Sequence, residues 1–144
     1  MSPPELTTLS LHLEGHIAEV ALNRPDKANA MNEAMWPELK ACFDWLDAEG
    51  SVRVVILRGN GRHFCAGIDL EMLGGRFGED MEPARRAEAF RRHVLYLQDC
   101  LSAIEKCRKP VLAAIHSSCV GGAIDMVTCC DMRYASADAK FSVR

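Results

Sequence analysis

Apolar and polar positions alternate twice near the start of the chain. Residues 7–13 (TTLSLHL) and 16–22 (HIAEVAL) each set every second side chain on an apolar face, with Glu14-Gly15 between them. That pattern predicts a β-hairpin. Residues 23–32 (NRPDKANAMN) break it: Pro25 fixes its own backbone, and Asn32 carries the short polar side chain that caps a helix. From Glu33 to about Ala48 the period lengthens, with Met35, Leu39, Cys42, Phe43 and Leu46 on one helical stripe. Pro37 falls early enough in that helix to be tolerated.

The next run, VRVVILRG at 52–59, is apolar on both faces and rich in β-branched residues, as a buried strand requires. GNGRHFCAGIDL then reads as a glycine-punctuated turn, and residues 74–83, with Gly74, Gly75, Gly78 and Pro83, as a flexible connector. A long helix is predicted over 84–107, with Phe90, Val94, Leu97, Leu101 and Ile104 along one face. RKPVLAAIH is a second buried strand, GGAIDMVTCCD a helix, and MRYAS and KFSV two short strands. Strands alternating with helices make an α/β layer structure. No internal repeat divides the chain, so residues 1–144 form one domain. Its last run, KFSVR, stops in mid-strand, and the domain is expected to be incomplete at its C-terminus.

Charge narrows the partners. A net charge of −3 gives no reason to expect nucleic acid or an anionic membrane. Arg85, Arg86, Arg91 and Arg92 interleave with Glu82 and Glu88, as on a solvated helix face. No stretch reaches the roughly 18 apolar residues of a spanning helix, and no basic start leads into an apolar run. A cytoplasmic location is the expectation. The seven cysteines are odd in number and irregular in spacing, which argues for reduced, mostly buried thiols. With no CxxC pair and no histidine at ligand spacing, no metal site is expected.

Both buried strands run into glycine-rich turns that lead towards helices. Ligands of α/β sheets sit beyond the carboxyl ends of strands, where turns expose backbone N–H groups. Two such turns brought together can aim two donors at one oxygen, which is how an oxyanion hole is built. GxGxxG and GxxxxGK[ST] are both absent, so neither form of nucleotide-phosphate cradle is expected. Asp125 stands among Ala123, Ile124, Met126 and Val127, a helix that reads as buried nearly all round. A desolvated carboxylate exchanges protons nearer neutral pH, which makes Asp125 the candidate proton carrier. Asp131 is expected to bond backbone near the helix end. His63 reads as an exposed turn residue, His116 as bonding a nearby carbonyl, and Cys65 as a small side chain without a histidine–acid pair to activate it.

Three segments, LNRPDKANAM, GNGRHFCAGIDL and KPVLAAIHSSCVGGAIDMVTCCDMRYASADAKFSV, resemble in order and spacing the crotonase (enoyl-CoA hydratase/isomerase) superfamily. The resemblance spans essentially the whole chain. It implies an α/β spiral of ββα units, cut off before a C-terminal helical trimerisation region, that forms a homotrimer or hexamer when complete. It implies acyl-CoA thioester substrates, with the thioester carbonyl held by the backbone N–H groups of Ile68 and Gly122. Lys27, Ala66, Gly67, Ile68, Asp69, Leu70 and Gly122 are the positions it implies for binding coenzyme A and substrate. Coenzyme A is part of the substrate, so no separate cofactor is implied. Hydratases of the family carry glutamate at the position of Asp125. An aspartate there, with AGIDL and CDMRYA around it, looks most like the Δ3,5-Δ2,4-dienoyl-CoA isomerase branch, in which Asp125 is catalytic. The partner acid then falls immediately after Arg144 and a third lies further on. The family usually has glycine in place of Ser117. The alternatives are an enoyl-CoA hydratase of the same superfamily and, if the 144 residues are the whole product, a non-catalytic CoA-binding module or inactive truncation. The isomerase branch also implies an acyl pocket lined by Phe77, Phe90 and Tyr96.

Overall fold

A computed structural model describes residues 2–73 and 77–143. Gly74 and Gly75 of the expected connector lie outside them, as does Arg144. The hairpin forms as expected: β1 (Leu9–Glu14) pairs antiparallel with β2 (Ile17–Leu22). A short 3-10 turn at Pro25–Lys27 precedes α1 (Met35–Ala48), and then come β3 (Val54–Gly59), α2 (Leu70–Leu73) and α3 (Pro83–Lys106). The chain continues through β4 (Val111–Ile115), β5 (Ser118–Val120), α4 (Gly122–Thr128), β6 (Met132–Ala135) and β7 (Lys140–Ser142).

The main sheet has the order β1-β2-β3-β4-β6, with every pair after the hairpin parallel. A second, smaller layer is made by β5 and β7, also parallel. Single bridges extend its pattern, Cys65 with Cys119 and Met31 with Ile68. Each strand of the main sheet after β1 is therefore followed by a short extended step and, in the first three units, by a helix. The units are β2–Met31–α1, β3–Cys65/Ile68–α2–α3 and β4–β5–α4, with β6–β7 beginning a fourth. This is the ββα spiral the resemblance implies. The repetition lies in backbone geometry, because steps of one to three residues leave no sequence period to detect. β5 is such a step, hidden inside what the sequence reads as a turn.

Helix α1 buries its whole predicted stripe: Met35, Leu39, Cys42, Phe43 and Leu46 are fully enclosed. Ala34, and not the expected Asn32, is the cap residue; Asn32 still reaches the first helical amide, its Oδ1 accepting from Met35 N at 3.1 Å. Helix α3 departs from expectation. Only its last turns are buried, through Cys100, Leu101, Ala103 and Ile104, whereas Phe90 is 54% exposed. Its first half stands over an open cavity. Glu82 caps that end by accepting from Ala84 N and Arg85 N, both at 3.1 Å, with Pro83 at the first helical position. Asp131 does bond backbone: its Oδ2 accepts from Val111 N at 2.7 Å, tying the end of α4 to β4. Strand β6 forms the far edge of the main sheet and is exposed along its length. All seven cysteines are free. Among the described residues, no helix is long and apolar enough to cross a membrane.

A buried asparagine ties the loops together. Asn29 takes a left-handed backbone (φ 56°), and its Oδ1 accepts from Arg24 N at 2.8 Å. Its Nδ2 donates to the carbonyls of Asn60 (2.8 Å), His63 (3.0 Å) and Phe64 (3.1 Å). One amide thus fixes the loop after β2 against the loop after β3. Removing a buried partner costs the desolvation of the groups left behind, and alanine tolerates the left-handed region poorly. Asn29→Ala is expected to lower stability by about 3 kcal/mol in urea denaturation.

Candidate active site

The two turns singled out in the sequence meet, and bridge geometry explains which of their N–H groups are free. Met31 N donates to Gly67 O at 2.7 Å, and Asp69 N donates to Met31 O at 3.0 Å. Met31 thus bonds the two residues flanking Ile68, so Ile68 directs its own N–H to the opposite side. That side faces the start of α4: a Cβ built on Gly122 would stand 3.6 Å from Ile68 N and 3.1 Å from Ile68 Cγ1. Gly122 is the first residue of α4, and its N–H has no acceptor within the helix. Among the described residues, neither Ile68 N nor Gly122 N donates to a protein acceptor. Two amides without a protein acceptor thus lie close to one another, and two donors aimed at one oxygen are what an oxyanion hole requires.

Backbone contacts set this spacing. Gly67 has φ +93°, and a Cβ there would lie 2.5 Å from Val120 O. No residue but glycine lets the first turn come so close to the second. A ladder continues behind it: Cys65 N donates to Ser118 O (3.0 Å), Val120 N to Cys65 O (3.2 Å) and Phe64 N to His116 O (3.0 Å).

Asp125 and Ile68 line one cavity of about 620 Å³, together with Met72, Phe90, Val94 and Leu97. The expected burial of Asp125 is overturned, since the residue is exposed. Helix α4 turns Ala123, Met126 and Val127 into the core and leaves Asp125 and Thr128 on the opposite face, open to the cavity. Apolar neighbours in sequence do not enclose a helical residue, because successive positions point in different directions. Of the three aromatic residues expected as lining, Phe90 lines the cavity. Phe77 meets Phe90 edge-on with centroids 5.8 Å apart, and Tyr96 stacks on His93 at 6.4 Å. His93 itself lines the cavity, stacked on Phe77 at 5.2 Å. The sequence reading passed over it, although it stands three residues after Phe90 on the same helix.

The remaining expected binding positions surround the first turn. Lys27 is exposed in the 3-10 turn, and Ala66 N donates to the neighbouring Ala28 O at 2.9 Å, so the two segments lie side by side. Leu70 opens α2 and is 78% exposed. Asp69 is engaged within the turn: its carboxylate accepts from Glu71 N at 3.0 Å and pairs with Arg24 Nη1 at 3.0 Å. The Glu71 N–H first, and the Arg24 guanidinium next, hold that carboxyl below the usual range. Arg24, expected to be a solvated loop cation, is half-buried and also donates to Ala30 O. It braces the turn. Burial pushes the Cys65 thiol up to about 12, so it is no nucleophile at neutral pH, and it donates to Asn29 O at 3.2 Å. His116 Nε2 bonds Gly61 O at 2.8 Å, as expected. His63, expected to be exposed, is half-buried with its Nδ1 2.8 Å from Ser117 Oγ.

Two outcomes follow from this geometry. Gly67→Ala drives a methyl into Val120 O and is expected to lower stability by about 3 kcal/mol, read by urea denaturation. The lowered pKa of Asp69 contributes stability above the unfolded carboxylate value, near about 4, that is lost as pH falls through the folded value. Asp69→Asn is therefore expected to flatten the loss of stability below about pH 4, seen in urea midpoints across an acid series.

Residues 12–144 match the enoyl-CoA hydratase/isomerase family. The chain is 38% identical over 142 residues to the peroxisomal Delta(3,5)-Delta(2,4)-dienoyl-CoA isomerase of Arabidopsis thaliana, covering 96% of this chain and 51% of that protein. It is 41% identical over 133 residues to the mitochondrial Delta(3,5)-Delta(2,4)-dienoyl-CoA isomerase of Homo sapiens, covering 90% of this chain and 40% of that one. The crystal structure of an enoyl-CoA hydratase/carnithine racemase from Magnetospirillum magneticum superposes with a TM-score of 0.83 at 37% identity, over 96% of this chain and 50% of that one. The chain spans about half the length of the curated relatives it matches.

Proposed function

This chain belongs to the enoyl-CoA hydratase/isomerase family, and we propose that it forms the thioester-holding half of a Δ3,5-Δ2,4-dienoyl-CoA isomerase acting in fatty-acid β-oxidation. The observation that carries this reading is the pair of unpartnered amides, Ile68 N–H and Gly122 N–H, beside a cavity that Asp125 also lines. The thioester oxygen sits between the two donors. Loss of a proton from C2 of a 3,5-dienoyl thioester gives an enolate whose charge spreads to that oxygen and along the diene. Return of a proton at C6 leaves double bonds at C2 and C4, so one proton departs and one arrives. Each donor aimed at the developing charge is worth about 3 kcal/mol.

Asp125 is one of the two acids this exchange needs, and the second comes from outside the 144 residues. Lys27 attracts the phosphates of coenzyme A, which arrives as part of the substrate and needs no separate cofactor. Assembly into a homotrimer or hexamer belongs to the same proposal. The two named isomerases are peroxisomal and mitochondrial, so cytoplasmic residence rests on the sequence expectation alone. Hydration is the second reading, favoured by the superposition on a protein described as an enoyl-CoA hydratase/carnithine racemase. An aspartate ends one methylene short of a glutamate and reaches a different point along the acyl chain, which favours isomerisation.

Asp125→Asn in the natural protein is expected to reduce dienoyl-CoA isomerisation by about 10²- to 10⁴-fold while leaving acyl-CoA affinity within a few-fold. Diene absorbance measures the first and calorimetry the second. Unchanged turnover excludes Asp125 as a proton carrier, and hydration of a 2-enoyl thioester outpacing isomerisation favours the second reading.

A further inference from the structure

His63 and Ser117 stand in matching places. Each lies five residues before one of the two converging donors, His63 before Ile68 and Ser117 before Gly122. Their side chains meet, with His63 Nδ1 2.8 Å from Ser117 Oγ. On the main chain, Phe64 N bonds His116 O and Cys65 N bonds Ser118 O, which steps over Ser117. The Ser117 carbonyl is used on the other side, where it accepts from Lys140 N at 2.8 Å. Among the described residues, the hydroxyl is therefore the one polar link from Ser117 to the 63–65 segment.

The backbone of Ser117 sharpens the point. Its φ is +55°, a left-handed conformation that glycine adopts without strain and serine does not. Glycine is also what the family resemblance leads one to expect there. A serine that accepts the strain keeps a hydroxyl, and that hydroxyl is bonded to the imidazole of half-buried His63, whose main-chain carbonyl accepts from Asn29 Nδ2.

We propose that His63 and Ser117 form a side-chain clamp that sets the spacing of the turns carrying Ile68 N–H and Gly122 N–H. Both are positioning residues for the thioester oxygen, a role that rests on the oxyanion reading of those amides. The bond closes the frame from behind, where it touches neither substrate nor the reacting atoms.

The test uses the full chain and the variants His63→Leu, Ser117→Ala, their combination and His63→Asn. Amide ¹H–¹⁵N resonances of Ile68 and Gly122 are followed without ligand. Affinity is then measured for acetoacetyl-CoA, a thioester that enolises, and for coenzyme A itself. His63→Leu and Ser117→Ala are each expected to move both amide resonances and to weaken acetoacetyl-CoA about tenfold, the worth of one hydrogen bond. Coenzyme A affinity stays unchanged, and the double variant is no worse than either single one. His63→Asn, which keeps a polar atom near the place of Nδ1, restores both signals. Should His63→Leu fail to fold, Ser117→Gly removes the bond while relieving the backbone and must show the same shifts. Unmoved amide resonances in the single variants, additive losses in the double variant, or equal losses for both ligands overturn the clamp. Absence of acetoacetyl-CoA binding in the unaltered chain counts against the proposed function alone, and the resonances then decide the clamp.

Discussion

The approach of Gly67 to the carbonyl of Val120 governs the geometry of the site. With a Cβ only 2.5 Å from that oxygen, any larger residue pushes the two turns apart, and the amides of Ile68 and Gly122 move with them. Everything around this contact holds it in place. The Met31 bridge turns Ile68 N–H outward, and the ladder from Phe64 to Val120 fixes the register of one turn against the other. The charged pair of Arg24 and Asp69 then locks the first turn against the loop after β2. A binding site for an oxygen needs donors fixed before the oxygen arrives, because rigid donors do not reorganise as charge develops. Here the rigidity comes from backbone packing, with side chains bracing it from outside.

Asn29 shows why this bracing is built from polar groups deep in the protein. Loops that carry a site still need partners for their buried carbonyls, and the sheet supplies none for Asn60, His63 and Phe64. A single amide answers three of them and accepts from a fourth group, Arg24 N. The cavity is built differently, from the faces of α3 and α4 that the core leaves uncovered. Its acid therefore sits at the mouth of an apolar space, within reach of solvent.

The sequence made the strands, both long helices and the two glycine-rich turns legible, because period and turn chemistry are local properties. β5 escaped because its three residues lie between Ser117 and the Gly121-Gly122 pair, where turn chemistry dominates the local pattern, and so did the spiral, whose units share shape without sharing residues. The exposure of Asp125 was misread for a different reason. Its neighbours are apolar, but burial depends on which direction the helix presents to the core, and that direction follows from packing against β5 and α3. Asn29 and the Arg24–Asp69 pair were out of reach, since they join segments more than thirty residues apart. His93 was within reach: helical spacing from Phe90 puts it on the cavity side.

Strand β6 carries a consequence for what can add to the sheet. It pairs with β4 on one side, and its other edge offers a row of peptide groups flanked by exposed Met132 and Tyr134. A flat, partly apolar edge is a template on which a foreign strand can add. The same parallel stacking that lets one unit of the spiral seat the next gives no means of telling the next unit from a stranger's. Among the described residues no strand covers this edge, so it is where a further unit of the spiral, or a foreign strand, would add, and a lysine or proline introduced there would oppose both.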